Sequence, residues 1–273
     1  MDKQPEKKSD GIKRVEFYSD RWYRIGETYY PSVTTILGVL NRPGLTRFRG
    51  DVGNREADMR MFEAGERGTR IHSGLETLAK GGTVILNPPQ HPNYSQDEIN
   101  AIPFVNVMRY QDEYLQVMKL KQFFDIVKPE IEAVEITVYA HSHKYAGTVD
   151  LMLRIKDGSY AVNGRTPLKI PGGRYCCDLK SGKIIDRSAY KQTAAYARAY
   201  EEMEMGKVDG TIILWTGSSN RSGIEGLGVQ LRTDKVDNDY VGFLRAQEEW
   251  LEDNEGKQPK MFDFPIMMSL VEK

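Results

Sequence analysis

Two carboxylates and a lysine stand where strand-like stretches end. Asp150 closes the run Gly147-Thr148-Val149-Asp150, and Asp178 and Lys180 bracket Leu179 at the end of a second short stretch. Carboxylates on neighbouring strands can clamp a hard divalent cation, because magnesium is held through one or two carboxylates plus substrate phosphates. Side chains on a strand repeat with period two, so Lys180 projects from the same face as Asp178. A lysine so placed can orient or deprotonate a water, or offset the charge that builds on an attacked phosphate. The chemistry open to this set is metal-dependent hydrolysis of a phosphodiester.

An acid two residues before a lysine is a weak signal alone. It recurs in Glu6-Lys7-Lys8 and Glu255-Gly256-Lys257, which lie in polar terminal stretches without a strand pattern. Around Asp178 the context is richer. Downstream, Tyr190-Lys191-Gln192-Thr193-Ala194-Ala195-Tyr196 opens an amphipathic helix, on which Gln192 and Tyr196, four apart, share a face. Upstream, His72 borders the helical stripe of Ile71, Leu75 and Leu78, where a lone histidine reads as a core residue. Glu76, one turn later, reads as structural. Glu135 is a strand glutamate that faces solvent or adds a carboxylate for a second ion. His91, His141 and His143 fall in loops or turns and are assigned no chemistry. Tyr29, Tyr30, Arg47 and Arg49 suit contact with single strands, but read more simply as core packing and a solvated helix.

Taken in order, these pieces resemble the RecB-type exonuclease branch of the PD-(D/E)XK nuclease superfamily, and within it a stand-alone phage-encoded member. Arg67-Gly68-Thr69-Arg70-Ile71-His72-Ser73-Gly74-Leu75-Glu76 is similar to that branch's helical histidine motif. Ala146-Gly147-Thr148-Val149-Asp150 resembles its first acidic motif, and Cys177-Asp178-Leu179-Lys180-Ser181-Gly182 its acid-x-lysine motif. Gln192 and Tyr196 match its glutamine–tyrosine helix, and Tyr30-Pro31-Ser32-Val33-Thr34-Thr35-Ile36-Leu37 is similar to the helix start of phage-encoded members. The likeness spans residues 30 to 200. It implies a restriction-endonuclease-like fold and a DNA exonuclease of recombination, repair or replication. It further implies Mg²⁺, with Mn²⁺ as substitute, held by His72, Asp150, Asp178 and the Leu179 carbonyl. Asp150, Asp178 and Lys180 would be catalytic; Gln192, Tyr196 and Ser181 would support the site or hold DNA. The implied partner is DNA with a free end, alongside a recombinase, helicase or single-strand-binding protein. The alternatives are a catalytically silent nucleic-acid-binding module and a structure-specific endonuclease.

The chain departs from the pattern in two places. Asp150 and Asp178 are 178 − 150 = 28 residues apart, and the Gly- and Pro-containing stretch 156–174 reads as an extended loop inserted into the hairpin. Relatives with an iron–sulfur cluster carry four cysteines, whereas this chain has Cys176 and Cys177 alone, which excludes a four-cysteine cluster. A nucleotide cofactor is not expected either, because no Gly-x₄-Gly-Lys-Ser/Thr loop occurs.

The chain has 273 residues, 40% of them hydrophobic and 28% charged, as in ordinary globular proteins. Its net charge of −1 gives no global basic field, although a nuclease can concentrate positive charge along one groove. Two cysteines, a charged N-terminus and no apolar run near the ~18 residues of a membrane span lead to an expectation of a cytoplasmic protein in a bacterial or phage-infected cell, without membrane contact.

Three stretches must position these groups. Residues 1–14 read as a disordered tail. Residues 15–130 read as N-terminal strands followed by a helical region carrying His72. Residues 131–273 read as the nuclease core with a C-terminal helix. Within them, a meander is expected over 15–30 and a helix capped by Ser32 to about residue 40. Helical pattern follows over 45–80, broken at Gly65 and Gly68 and ended by Gly81-Gly82, then a loop over 88–92 and helix over 97–127 with a kink at Pro103. Strands are expected over 133–140, 145–155, 175–179 and 211–215, with an edge strand over 226–231. Helices are expected over 187–203 and 239–254. The fold class is therefore α/β with a central mixed sheet flanked by helices, plus an N-terminal helical elaboration.

Overall fold

The computed structural model describes residues 12–17, 20–40, 42–87, 95–162, 167–218 and 226–259. Its centre is a five-stranded mixed sheet built from β6 (Glu130–Ala140), β7 (Tyr145–Ile155), β10 (Gly173–Lys180), β11 (Gly210–Trp215) and β12 (Gly228–Arg232). The strand order is β12-β11-β10-β7-β6. β10 and β11 run parallel and the other neighbours antiparallel. The parallel step needs a crossover, and helix α6 (Ser188–Glu202) supplies it.

The middle strands are apolar on both sides because both sides are covered. On one face Val138, Met152 and Cys176 pack against Ala194, Ala195, Tyr196 and Tyr200 of α6, and against Phe243 and Trp250 of α7 (Val236–Asp253). Helix α1 (Val33–Ile36), extended by a 3-10 turn over Leu37–Val39, joins this core through Val33, Ile36 and Leu37. Ser32 caps α1 as expected, its Oγ accepting from Thr35 N–H at 3.0 Å. The opposite face buries Leu151, Leu153, Tyr175, Cys177 and Leu179 beneath Ile71 and Leu75 of α3 (Asn54–Ala79) and Val117, Leu120 and Phe123 of α5 (Gln111–Val127). Both cores thus draw residues from either side of position 130. Among the described residues no helix is long and apolar enough to cross a membrane.

Several expected elements differ. Residues 12–14, expected in the tail, belong to a strand: β1 (Ile12–Phe17) pairs with β2 (Asp20–Ile25) from Ile12↔Ile25 onward, and β3 (Thr28–Pro31) completes the meander. Residues 1–11 and the loop expected over 88–92 lie outside the described residues, as does His91. The helical break falls at Gly53, with φ 84, between α2 (Pro43–Val52) and α3, while α3 runs unbroken through Gly65 and Gly68. A helix interior tolerates a glycine at about 1 kcal/mol, whereas positive φ is what stops one. The kinked helix over 97–127 is in fact α4 (Gln96–Asn100), β5 (Val105–Met108) and α5. β5 pairs in parallel with β4 (Thr83–Leu86), and strands this short carry too little alternation to be told from helix. The inserted loop contains a small hairpin of β8 (Gly158–Tyr160) and β9 (Leu168–Ile170).

Helix α3 is locked to α5 by a charge pair. Glu113, 2% exposed, accepts three hydrogen bonds from Arg70 at 2.7–3.1 Å, and the Arg70 guanidinium stacks over Tyr110 at 5.0 Å. Removing the arginine strands a buried carboxylate, whereas removing the glutamate leaves a cation that can turn to water. Arg70→Ala is therefore expected to cost about 3 kcal/mol and Glu113→Ala clearly less, read as shifts in urea midpoint.

Candidate functional site

The site forms where β7 parts from β10, while its pairing with β6 runs on past Asp150. β7 and β10 pair from Gly173↔Ile155 to Cys177↔Leu151. Beyond that point the carboxylate of Asp150 fills the gap, and its Oδ2 accepts from the Leu179 backbone N–H at 2.6 Å. On the other side, Val134↔Leu151 and Ile136↔Val149 bracket Glu135, whose φ of 49° lies in the left-handed region. That conformation costs a non-glycine residue on the order of 1–3 kcal/mol and is held only where the surroundings enforce it. Helix α3 crosses this spot and brings His72 Nδ1 to 3.4 Å from Asp150 Oδ1. One donor atom each from His72, Glu135 and Asp150 lies within 4.8 Å of the others.

Asp178 sits beside this trio in a second, hydrogen-bonded group. Its Oδ1 accepts from Gln192 Nε2 at 2.9 Å, and Lys180 Nζ stands 2.6 Å from its Oδ2. Lys180 Nζ also donates to Gln192 Oε1 at 3.2 Å, and Gln192 Nε2 reaches Tyr196 Oη at 3.2 Å. The period of two on β10 and of four on α6 thus converge on one carboxylate. Gly147 permits this convergence: a Cβ there would lie 2.2 Å from Tyr196 Cε1. Gly147→Ala is expected to lose about 1–3 kcal/mol through overpacking. It should also displace Tyr196 from Gln192, and a denaturation curve would show the loss.

The electrostatics separate the two aspartates. Burial pushes Asp150 up, but His72 and the Leu179 N–H outweigh it and hold the carboxyl below its ordinary value. For Asp178 burial wins: Lys180 opposes it, Asp150 reinforces it, and the carboxyl is raised. Burial also pulls His72 down, yet Asp150 and then Asp178 more than compensate, leaving it at about 8. Glu135 is pushed up to about 7, first by loss of surrounding water and then by Asp150, although part of its surface still meets solvent.

The arrangement fits a divalent cation. Carboxylate oxygens and an imidazole form the cluster, the donor types that such ions take. Asp178 Oδ2 is buried, and its charge partner is the Lys180 ammonium 2.6 Å away. That carboxylate is offset by the lysine, and the fit for an ion rests on the His72, Glu135 and Asp150 donors.

Of the expected metal ligands, the structure brings His72 and Asp150 together and adds Glu135, while Asp178 faces Lys180 and Gln192. Leu179 reaches the site through its N–H; its side chain is in the core. Ser181 follows Lys180 and faces Gly68, whose Cβ would lie 3.5 Å from Ser181 Oγ. Glu76 is paired with Lys80. Tyr30 is buried and bonded to His141 Nδ1 at 2.6 Å, and Arg49 pairs with Asp58, so both have structural work. Sequence reasoning underweighted Glu135, because its local pattern resembles any solvent-facing strand glutamate. Compared with known families and curated proteins, the chain matches neither a family model nor a curated sequence.

Proposed function

We propose that this chain is a divalent-metal-dependent deoxyribonuclease with a restriction-endonuclease-like core, cutting DNA phosphodiester bonds at strand ends. The observation that carries the reading is one juxtaposition: the His72–Glu135–Asp150 donor cluster abuts the Asp178–Lys180–Gln192–Tyr196 network. His72, Glu135 and Asp150 would hold the cation, with Asp178 at its edge. A bound Mg²⁺ or Mn²⁺ supplies Lewis acidity and charge neutralisation at the phosphate. Lys180 orients the attacking water and offers a positive charge to the phosphate oxygens as negative charge develops there. Gln192 fixes Lys180 and Asp178 relative to each other, and Tyr196 fixes Gln192. Leu179 N–H keeps Asp150 ionised and aimed.

The test is cleavage of end-labelled linear and closed circular DNA, single- and double-stranded, with Mg²⁺, Mn²⁺ or EDTA. Loss of linear substrates alone, dependent on metal and absent in Asp150→Ala, is the expected result. Cleaved circles would make the protein an endonuclease. DNA binding without cutting under every ion would leave a binding module.

A further inference from the structure

The nuclease reading gives no role to Arg67, yet its side chain is out of balance. Arg67 Nε is buried and without a hydrogen-bond partner, and no ion pair involves this residue among the described residues. A guanidinium is always charged and offers five donors, so one left with a buried, unmatched N–H calls for an anionic ligand. Glu113 of α5 has both oxygens taken by Arg70.

Its position points to the ligand. Arg67 precedes Gly68, which faces Ser181, the residue after Lys180. It lies five residues before His72, about 7.5 Å along the helix axis and about 140° round it, so its stem leaves α3 on a different face from the metal donors. The chain next to it is pinned: Trp215 Nε1 donates to Gly182 O at 2.6 Å, and Thr216 N–H to Lys180 O at 3.0 Å. Gly217 closes on the same segment so tightly that a Cβ would meet Ser181 O and Gly182 O at 2.3 Å. A guanidinium with an unpartnered N–H on α3, next to Gly68, and the Ser181 hydroxyl on the pinned segment that Gly68 faces suit a phosphate, which arginine's planar fork matches.

We propose that Arg67 grips a phosphodiester of the bound DNA strand adjacent to the one being cut, with Ser181 as a neighbouring donor. It is a positioning residue, and this inference rests on the nuclease reading. The experiment measures binding of a labelled single-stranded oligonucleotide in EDTA across a range of salt. It compares the intact chain, Arg67→Met, Arg67→Lys and Arg245→Met, the last removing an exposed charge on α7. Arg67→Met should weaken binding about tenfold and lower the slope of log affinity against log salt by about 0.7, one single-strand phosphate contact. Arg67→Lys should keep the slope but bind more weakly than the intact chain, and Arg245→Met should change neither. If Arg67→Met misfolds by thermal melting, Arg67→Lys carries the test, and intact-chain affinity in it overturns the proposal. Unchanged affinity and slope in Arg67→Met, or an equal fall in Arg245→Met, also overturns it. Those failures leave the nuclease reading intact if the unmutated chain binds and cuts DNA; an unmutated chain that does neither defeats both.

Discussion

Lys180→Ala is expected to reduce the metal-saturated cleavage rate by a factor on the order of 10²–10³, the size of loss seen when one preorganised electrostatic donor is deleted. The loss should not be recovered by adding metal, because Lys180 lies outside the His72–Glu135–Asp150 cluster. Asp150→Ala should behave in the opposite way. It removes the ligand paired to His72 at 3.4 Å, so its first effect is on metal affinity, measured by calorimetry. The two variants therefore sort the roles: one alters rate at saturation, the other alters the concentration needed for saturation. Lys180→Ala also leaves Asp178, 3% exposed, without its ammonium neighbour, so some stability loss should accompany the change. Lys180→Met, which keeps the aliphatic stem, controls for lost packing. A Lys180→Ala protein that cuts DNA at the intact rate would remove Lys180 from the mechanism.

What could be read from the chain follows from how local each signal is. The central strands were legible because burial on both faces leaves long apolar runs, as in Tyr145–Ile155. The Asp178–Lys180 and Gln192–Tyr196 pairs were legible because spacings of two and four fix a shared face without knowledge of the fold. Glu135 was legible in part: the sequence offered it as an extra carboxylate, but its place beside Asp150 comes with a left-handed φ next to the partner strand. His72 was half legible: periodicity placed it at the edge of a buried stripe, but only tertiary packing turns that edge toward β7. Strands β4 and β5 escaped because four residues each cannot outweigh the helical pattern around them. Gly53 escaped because glycine identity does not reveal the sign of φ.

The metal-free site should take up cations in exchange for protons. His72 at about 8 and Glu135 at about 7 both hold protons near neutrality, and each must release one to serve as a ligand. Apparent affinity for Mg²⁺ or Mn²⁺ is thus expected to climb with pH, at about two logarithmic units per pH unit below 7, about one between 7 and 8, and level above 8. The stability of the metal-free protein should run the other way. The folded value of His72 lies above its ordinary 6.5, so its contribution is complete below 6.5 and lost as pH rises through 8. Glu135 is raised from 4.5, so its contribution is complete below 4.5 and lost as pH rises through 7. Melting temperature without metal should accordingly fall across this window, while the increment added by metal grows. Calorimetry in two buffers of different ionisation enthalpy would count the protons released, and Glu135→Gln should lower the slope below pH 7 by one. Metal binding with no proton release and no pH dependence would show that His72 and Glu135 are not the ligands.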